Sequence, residues 1–238
     1  MSEEQARTKP RVHRQVVEAL ALSILRGEMP PGHVLPPEST LCDTFGISRS
    51  ALREAIRALK EKGLLDGRPR AGTIVRPRRD WNRLDSDLLR LSFDCAPDRD
   101  FIGSLIEARQ TIEPVAARMA ATRAEPADIA ALNTAFDRMA LAKARGDFAS
   151  FNSADIAFHQ ALLRASGNAV FLQLSTTIAA ALAYVFRIQT DNAKEPGASL
   201  PQHHEVIRAI EARDGMKAME VMNRLLEIAL VDLGQREL

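Results

Sequence analysis

The stretch Phe45 to Gly63, FGISRSALREAIRALKEKG, decides how this chain is read. Arg49, Arg53 and Arg57 recur every four residues and so share one side of a helix, while Leu52, Ile56 and Leu59 fall on the adjoining side. Ser48 stands where a helix N-cap belongs, with a hydroxyl able to satisfy a free amide of the first turn, and Gly63 stands where the helix must end. A solvated helix could carry the same arginines and pair them with Glu54 and Glu61. The neighbouring segments have to choose between the two.

Upstream, Val12, Val16, Val17, Leu20, Ile24 and Leu25 have one-sided helical spacing, which predicts a first helix over 12–25. The run RGEMPPGHVLPP, Arg26 to Pro37, ends it. Pro37 suits the first turn of a second helix running to Phe45, because the amide hydrogen proline lacks would be orphaned there anyway, and Gly46 closes that helix. Downstream, LLDGRPRAGTIVRP, Leu64 to Pro77, reads as a small hairpin: two leucines, a tip rich in glycine, proline and arginine, then the β-favouring Thr73, Ile74 and Val75. Helix, helix, turn, helix and hairpin in that order describe a winged helix-turn-helix. Its third helix is held by its apolar side and offers its amino-terminal end to the major groove of double-stranded DNA. Arg49 and Arg53 lie near that end, where a guanidinium can bond guanine O6 and N7 together or reach phosphate. Arg57 and Lys60 lie farther along and fit phosphate contact or plain solvation. Arg68 and Arg70 sit at the hairpin tip, and Gly72 lets backbone approach the duplex.

Charge supports this division. The net charge of +1 conceals an uneven split: residues 1–79 hold 15 Lys and Arg against 9 Asp and Glu, and the remainder holds 17 against 22. A +6 segment joined to a −5 segment fits a polyanion-binding domain attached to something else, since clustered cations release counterions from a phosphate backbone. Cys42 and Cys95 are the only cysteines and form no CxxC pattern, which excludes a zinc finger or a disulfide framework and reads as two reduced thiols. The amino terminus has no signal-peptide core, and the longest apolar run, Ile178 to Phe186, is too short to cross a bilayer. A cytoplasmic protein is expected.

Beyond residue 100, strand alternation gives way to helical periods over 101–123, 126–145, 148–165, 168–190, 201–213 and 216–234. The breaks between them are short except at Asp191 to Pro201, so an antiparallel helical bundle is expected, with Pro114 bending the first of these helices or sitting at a tolerated break. The fold class expected is therefore mainly α: a winged helix-turn-helix with a β-hairpin wing over 10–79, a linker over 80–100 and an all-α bundle over 101–236. Within NSADIAFHQALL, Asp155 and His159 are four residues apart and share a helical face among apolar neighbours, where they can bind a divalent metal or each other. His203 and His204 on a later helix make a three-ligand metal site credible.

The segment LPPESTLCDTFGISRSALREAIRALKEKGLL with GTIV closely resembles the amino-terminal domain of GntR-family transcription regulators, over roughly residues 10–77. By position, the resemblance implies DNA contacts at Ser48, Arg49, Ser50 and Arg53 and along the wing from Arg70 through Gly72 to Thr73, with Glu38 organising the domain internally. The bundle resembles the ligand-binding domain of the FadR subfamily through Glu107 with Arg109, through Asp155, Phe158 and His159, and through His203, Ile207, Ala209 and Ile210. That alignment selects His203 over His204 and implies a divalent metal, zinc or similar, on Asp155, His159 and His203. The resemblance also places Arg109 in the same cavity, where it can grip a carboxylate effector with two parallel hydrogen bonds, although it could equally pair with Glu107 or Glu113. Metal-binding members carry a further histidine whose place here falls at about Leu225, so three protein ligands and an open position remain.

The linker DWNRLDSDLLRL, Asp80 to Leu91, resembles that of repressors of sugar-acid catabolism. The function expected is a homodimeric repressor on a palindromic operator, released by a small hydroxy-carboxylate effector in the bundle and without enzymatic activity. Two alternatives are an acyl-ligand sensor with the same DNA domain and a metal-dependent enzyme. Against the enzyme, no arrangement of nucleophile and base is evident beside the candidate ligands.

Overall fold

The computed structural model describes residues 3–68, 72–95, 98–190 and 199–234. The chain divides into two compact units, Met1–Asp98 and Arg99–Leu238. Among the described residues they hold ten α-helices and one two-stranded sheet, so the fold is mainly helical.

In the first unit, α1 spans Glu3–Leu25 and begins well before the apolar period does, because the residues ahead of Val12 include several strong helix formers. α2 spans Glu38–Phe45, with Pro37 just outside it in an extended conformation rather than in its first turn. α3, Arg49–Glu61, is opened by Ser48, whose Oγ accepts a hydrogen bond from the Ala51 amide at 3.3 Å. Leu52, Ala55, Ile56 and Leu59 turn inward from α3 to meet Val16, Leu20, Ala21 and Ile24 of α1. Each large side chain so buried contributes about 1.5–3 kcal/mol relative to exposure.

Gly63 follows α3 with φ +75°, and a Cβ there would lie 2.6 Å from the Asp80 carbonyl oxygen, so both conformation and space demand glycine. Strands β1, Leu65–Arg68, and β2, Gly72–Val75, then pair antiparallel, with Leu65 opposite Val75 and Arg68 opposite Gly72. Val34 adds a bridge to Ile74. The wing is thus fixed at its base by two buried residues, Leu65 and Val75.

After a single 3-10 turn at Arg78–Asp80, helix α4 spans Ser86–Cys95, inside the stretch read from sequence as a linker. Leu88 and Leu91 join the core of the first unit, and Lys62 donates to Asp85 Oδ1 at 2.7 Å and to Asp87 Oδ2 at 3.0 Å. Arg90 reaches Glu18 of α1 at 2.8 Å. Cys42 and Cys95 are free and half-buried.

The second unit comprises α5 Arg99–Arg123, α6 Pro126–Ala144, α7 Phe148–Ala165, α8 Ala169–Thr190, α9 Leu200–Glu211 and α10 Gly215–Gly234. α5 runs through Pro114, which cannot donate the regular amide bond. α7, which carries two candidate ligands, starts at Asp147, whose Oδ1 accepts from the Ser150 amide at 3.0 Å. The core joins Ala117, Ala120, Leu132, Met139, Phe158, Leu162, Val206, Ile210 and Met222. Among the described residues, no helix is long and apolar enough to cross a membrane.

Candidate functional site

On the first unit the outer side of α3 is cationic: Arg49, Arg53, Arg57 and Lys60 are exposed while the leucines beneath them are buried. Ser48 and Ser50 are exposed as well, with their hydroxyls 3.0 Å apart at the helix start. Two arginines have partners. Arg53 donates through Nε to both oxygens of Glu38, at 3.1 and 3.3 Å, and Arg57 donates through Nε to Glu61 at 3.1 Å. Both pairs are exposed, so they hold the side chains weakly and leave the terminal nitrogens facing water. Arg49 forms no ion pair among the described residues. On the wing, Gly72 is exposed with φ +82° and Thr73 is half-buried. Arg70 lies outside the described residues.

The second unit brings Arg109 from α5, Asp155 and His159 from α7 and His203 from α9 into one cluster. Asp155, His159 and His203 are buried, and one potential ligand atom from each lies within 4.8 Å of the others. A fifth member, Glu113 of α5, is fully buried, whereas the sequence alone offers it only as one possible partner for Arg109. Its Oε1 accepts from Arg109 Nε at 2.7 Å, and its Oε2 lies 2.7 Å from His159 Nδ1, off the axis of the ring N–H. The spacing Arg109-xxx-Glu113 puts both on one helical face and was the signal available for it. Phe158 stands edge-on to both imidazoles, with ring centroids 5.5 Å from His159 and 4.7 Å from His203, and keeps water away from them.

The partners fix which ring nitrogens carry hydrogen. Arg109 has no acceptor, so its Nη2, 2.7 Å from His159 Nε2, donates to a lone pair there and leaves the ring hydrogen on Nδ1, toward Glu113. His203 Nδ1 lies 2.9 Å from the Ser199 carbonyl and donates to it, so in the neutral ring Nε2 is the lone pair. That nitrogen is buried without a hydrogen bond, 3.0 Å from Asp155 Oδ1. Two acceptors at that distance call for a proton or a cation between them. The set therefore fits a divalent metal: one carboxylate, two imidazoles, and outer partners that orient each ring. Leu225, at the place of a further histidine, is buried and apolar.

Electrostatics agree. Burial pushes the Glu113 carboxyl up, but the Arg109 guanidinium, which also donates a hydrogen bond to it, and the nearby His159 ring outweigh that and hold the group below the usual range. Burial also opposes ionisation of Asp155, yet His159, His203 and Arg109 hold it at about 2. Burial and Arg109 lower His159 more than the two carboxylates raise it, which favours the neutral ring that a metal ligand needs.

Residues 104–228 match the FCD domain, and residues 12–75 match the bacterial regulatory proteins of the gntR family. The chain belongs to the gntR family of regulators with an FCD domain. It is 36% identical over 203 residues to the galactonate operon transcriptional repressor of Escherichia coli (strain K12), covering 84% of this chain and 87% of that one. It is 34% identical over 163 residues to a putative L-lactate dehydrogenase operon regulatory protein of the same organism, covering 68% and 62%. The solved structure of Lar, described as controlling the Listeria monocytogenes agr system, shares the fold with a TM-score of 0.61 at 16% identity, over 94% of this chain and 97% of that one. The protein is a DNA-binding transcription regulator, the class named for these relatives rather than an enzyme class.

Proposed function

We propose that this regulator is a homodimeric repressor of an operon for the catabolism of a sugar acid or related hydroxy carboxylate. Residues 10–79 read a palindromic operator, and residues 101–236 dimerise and bind the effector. Ser48, Arg49, Ser50 and Arg53 enter the major groove, and Arg70, Gly72 and Thr73 follow the backbone from the wing. The relatives' names concern galactonate and lactate operons, both hydroxy acids.

The observation that carries this reading is the buried group of Asp155, His159 and His203 with Arg109 in hydrogen-bond contact. Those three residues would hold a divalent metal, which supplies a Lewis-acidic anchor for an anionic oxygen. The guanidinium of Arg109 supplies the two-pronged grip on a carboxylate, Glu113 orients Arg109 and His159, and Phe158 excludes water. An effector that binds one form of the dimer better than the DNA-competent form shifts the population and releases the operator.

A thermal-shift screen of galactonate, gluconate, lactate and a long-chain acyl thioester, on protein whose metal content is measured by elemental analysis, tests the reading. A hydroxy acid should raise the melting temperature, and Arg109→Gln should remove the rise. Stabilisation by the acyl thioester alone, unaffected by Arg109→Gln, would replace the hydroxy acid with an apolar ligand.

A further inference from the structure

We propose that the Arg109 guanidinium and the divalent metal are alternative partners of one lone pair, that of His159 Nε2, so that loading the metal hands Arg109 over to the effector's carboxylate. The inference rests on the metal and effector reading above and adds the coupling between the two.

Neutral imidazole offers a single ring lone pair. In His159 the donation from Arg109 to Nε2 leaves the hydrogen on Nδ1, which lies 2.7 Å from the buried Glu113 Oε2 although off the line of a hydrogen bond. Exchanging the tautomer would turn a nitrogen lone pair toward that carboxylate, so Nε2 is the one position from which this ring can ligate. It faces the cluster, with Asp155 Oδ2 3.6 Å away. Yet the same lone pair accepts from Arg109 Nη2 at 2.7 Å. A hydrogen bond and a coordinate bond cannot share it, so the guanidinium must withdraw when the ring ligates.

Arg109 has a pivot for that movement. Its Nε donates to Glu113 Oε1 at 2.7 Å, on the same helix one turn away, and a turn of the side chain that keeps this bond would carry Nη2 away from His159 without taking the guanidinium out of the site. A cation displaced within a site where its side chain is only 12% exposed has few water partners, and an incoming carboxylate restores them. Metal and carboxylate therefore bind with positive coupling, each strengthening the other by the same factor. Attraction between any metal and any anion would also couple them, but it would not require Arg109 to leave His159.

The test uses the full chain stripped of metal and titrated calorimetrically with Zn²⁺, with and without saturating galactonate, in the wild type and in Arg109→Gln. The proposal expects galactonate to tighten Zn²⁺ binding about tenfold in the wild type; Arg109→Gln should bind Zn²⁺ more tightly than the wild type in the absence of galactonate and lose most of the enhancement. Equal or weaker Zn²⁺ binding by Arg109→Gln overturns the exchange and leaves the metal site standing. Failure of both proteins to bind Zn²⁺ overturns the metal reading and the exchange together. A second measurement needs no variant: nitrogen NMR of the wild-type histidine and arginine side chains. On addition of Zn²⁺ the His159 Nε2 and Arg109 Nη signals should shift together, and an Arg109 signal that stays unmoved while His159 becomes ligated contradicts the exchange.

Discussion

Two arginine–glutamate pairs in this molecule have the same chemistry and opposite settings. Arg53 and Glu38, on the first unit, are 69% and 43% exposed and meet at 3.1 Å. Arg109 and Glu113, in the bundle, are 12% and 0% exposed and meet at 2.7 Å. The exposed pair contributes about 0–1 kcal/mol, so a guanine edge or a phosphate can take Arg53 over at little cost. Removing one partner of the buried pair strands a charge and costs about 3–5 kcal/mol. A face proposed to exchange water for DNA carries replaceable contacts. A cluster proposed to report on a ligand carries contacts that only another charge or donor can replace.

The largest effect that could break this contrast is at Glu113. Glu113→Ala should destabilise the bundle by about 3–5 kcal/mol in denaturant unfolding followed by circular dichroism, because Arg109 is left buried without its carboxylate. A loss no greater than that of a surface substitution would show that the interior is wetter than described. Next comes Arg49→Ala, which should weaken operator binding by about 1–3 kcal/mol in fluorescence anisotropy while the bundle melts unchanged. Wild-type affinity would remove α3 from the groove. Glu38→Gln sharpens the contrast from the other side: thermal stability should move by about 1 kcal/mol or less.

The smallest effect concerns acid. Lys62 holds the Asp87 carboxyl below its ordinary value through a hydrogen bond, a depressed carboxylate whose contribution is complete above its unfolded value of 3.8 and fades as pH falls through the folded value. Because Asp87 is largely exposed, the part lost in Asp87→Asn should be about 0.5 kcal/mol or less at neutral pH and vanish in acid unfolding curves. A difference that persists at the acid end would place its origin elsewhere.

How much of this was legible in the sequence follows the range of each interaction. The start of α3 was readable because Ser48 caps an amide three residues on, and the bundle helices because their apolar periods are local. The helix at Ser86–Cys95 was read as part of a linker: ten residues carry too short a period, and its leucines gain meaning only against Val16 and Leu20 of α1. The Arg53 pairing was equally hidden, since Glu38 lies fifteen residues away across a turn. Asp155 and His159 could be paired by spacing, His203 and His204 were both candidates for a third ligand, and the resemblance selected His203. The central place of Glu113 could not be read, because it depends on α5 and α7 meeting at a depth that no local pattern specifies.

The most direct measurement is anisotropy of the full chain on a labelled duplex that this protein selects from random DNA, titrated with galactonate in the presence of Zn²⁺. The wild type should be released, and a variant combining Asp155→Ala with His203→Ala should bind the duplex with unchanged affinity but not be released. Release of that variant at the same galactonate concentration as the wild type would contradict the buried cluster as the sensing site.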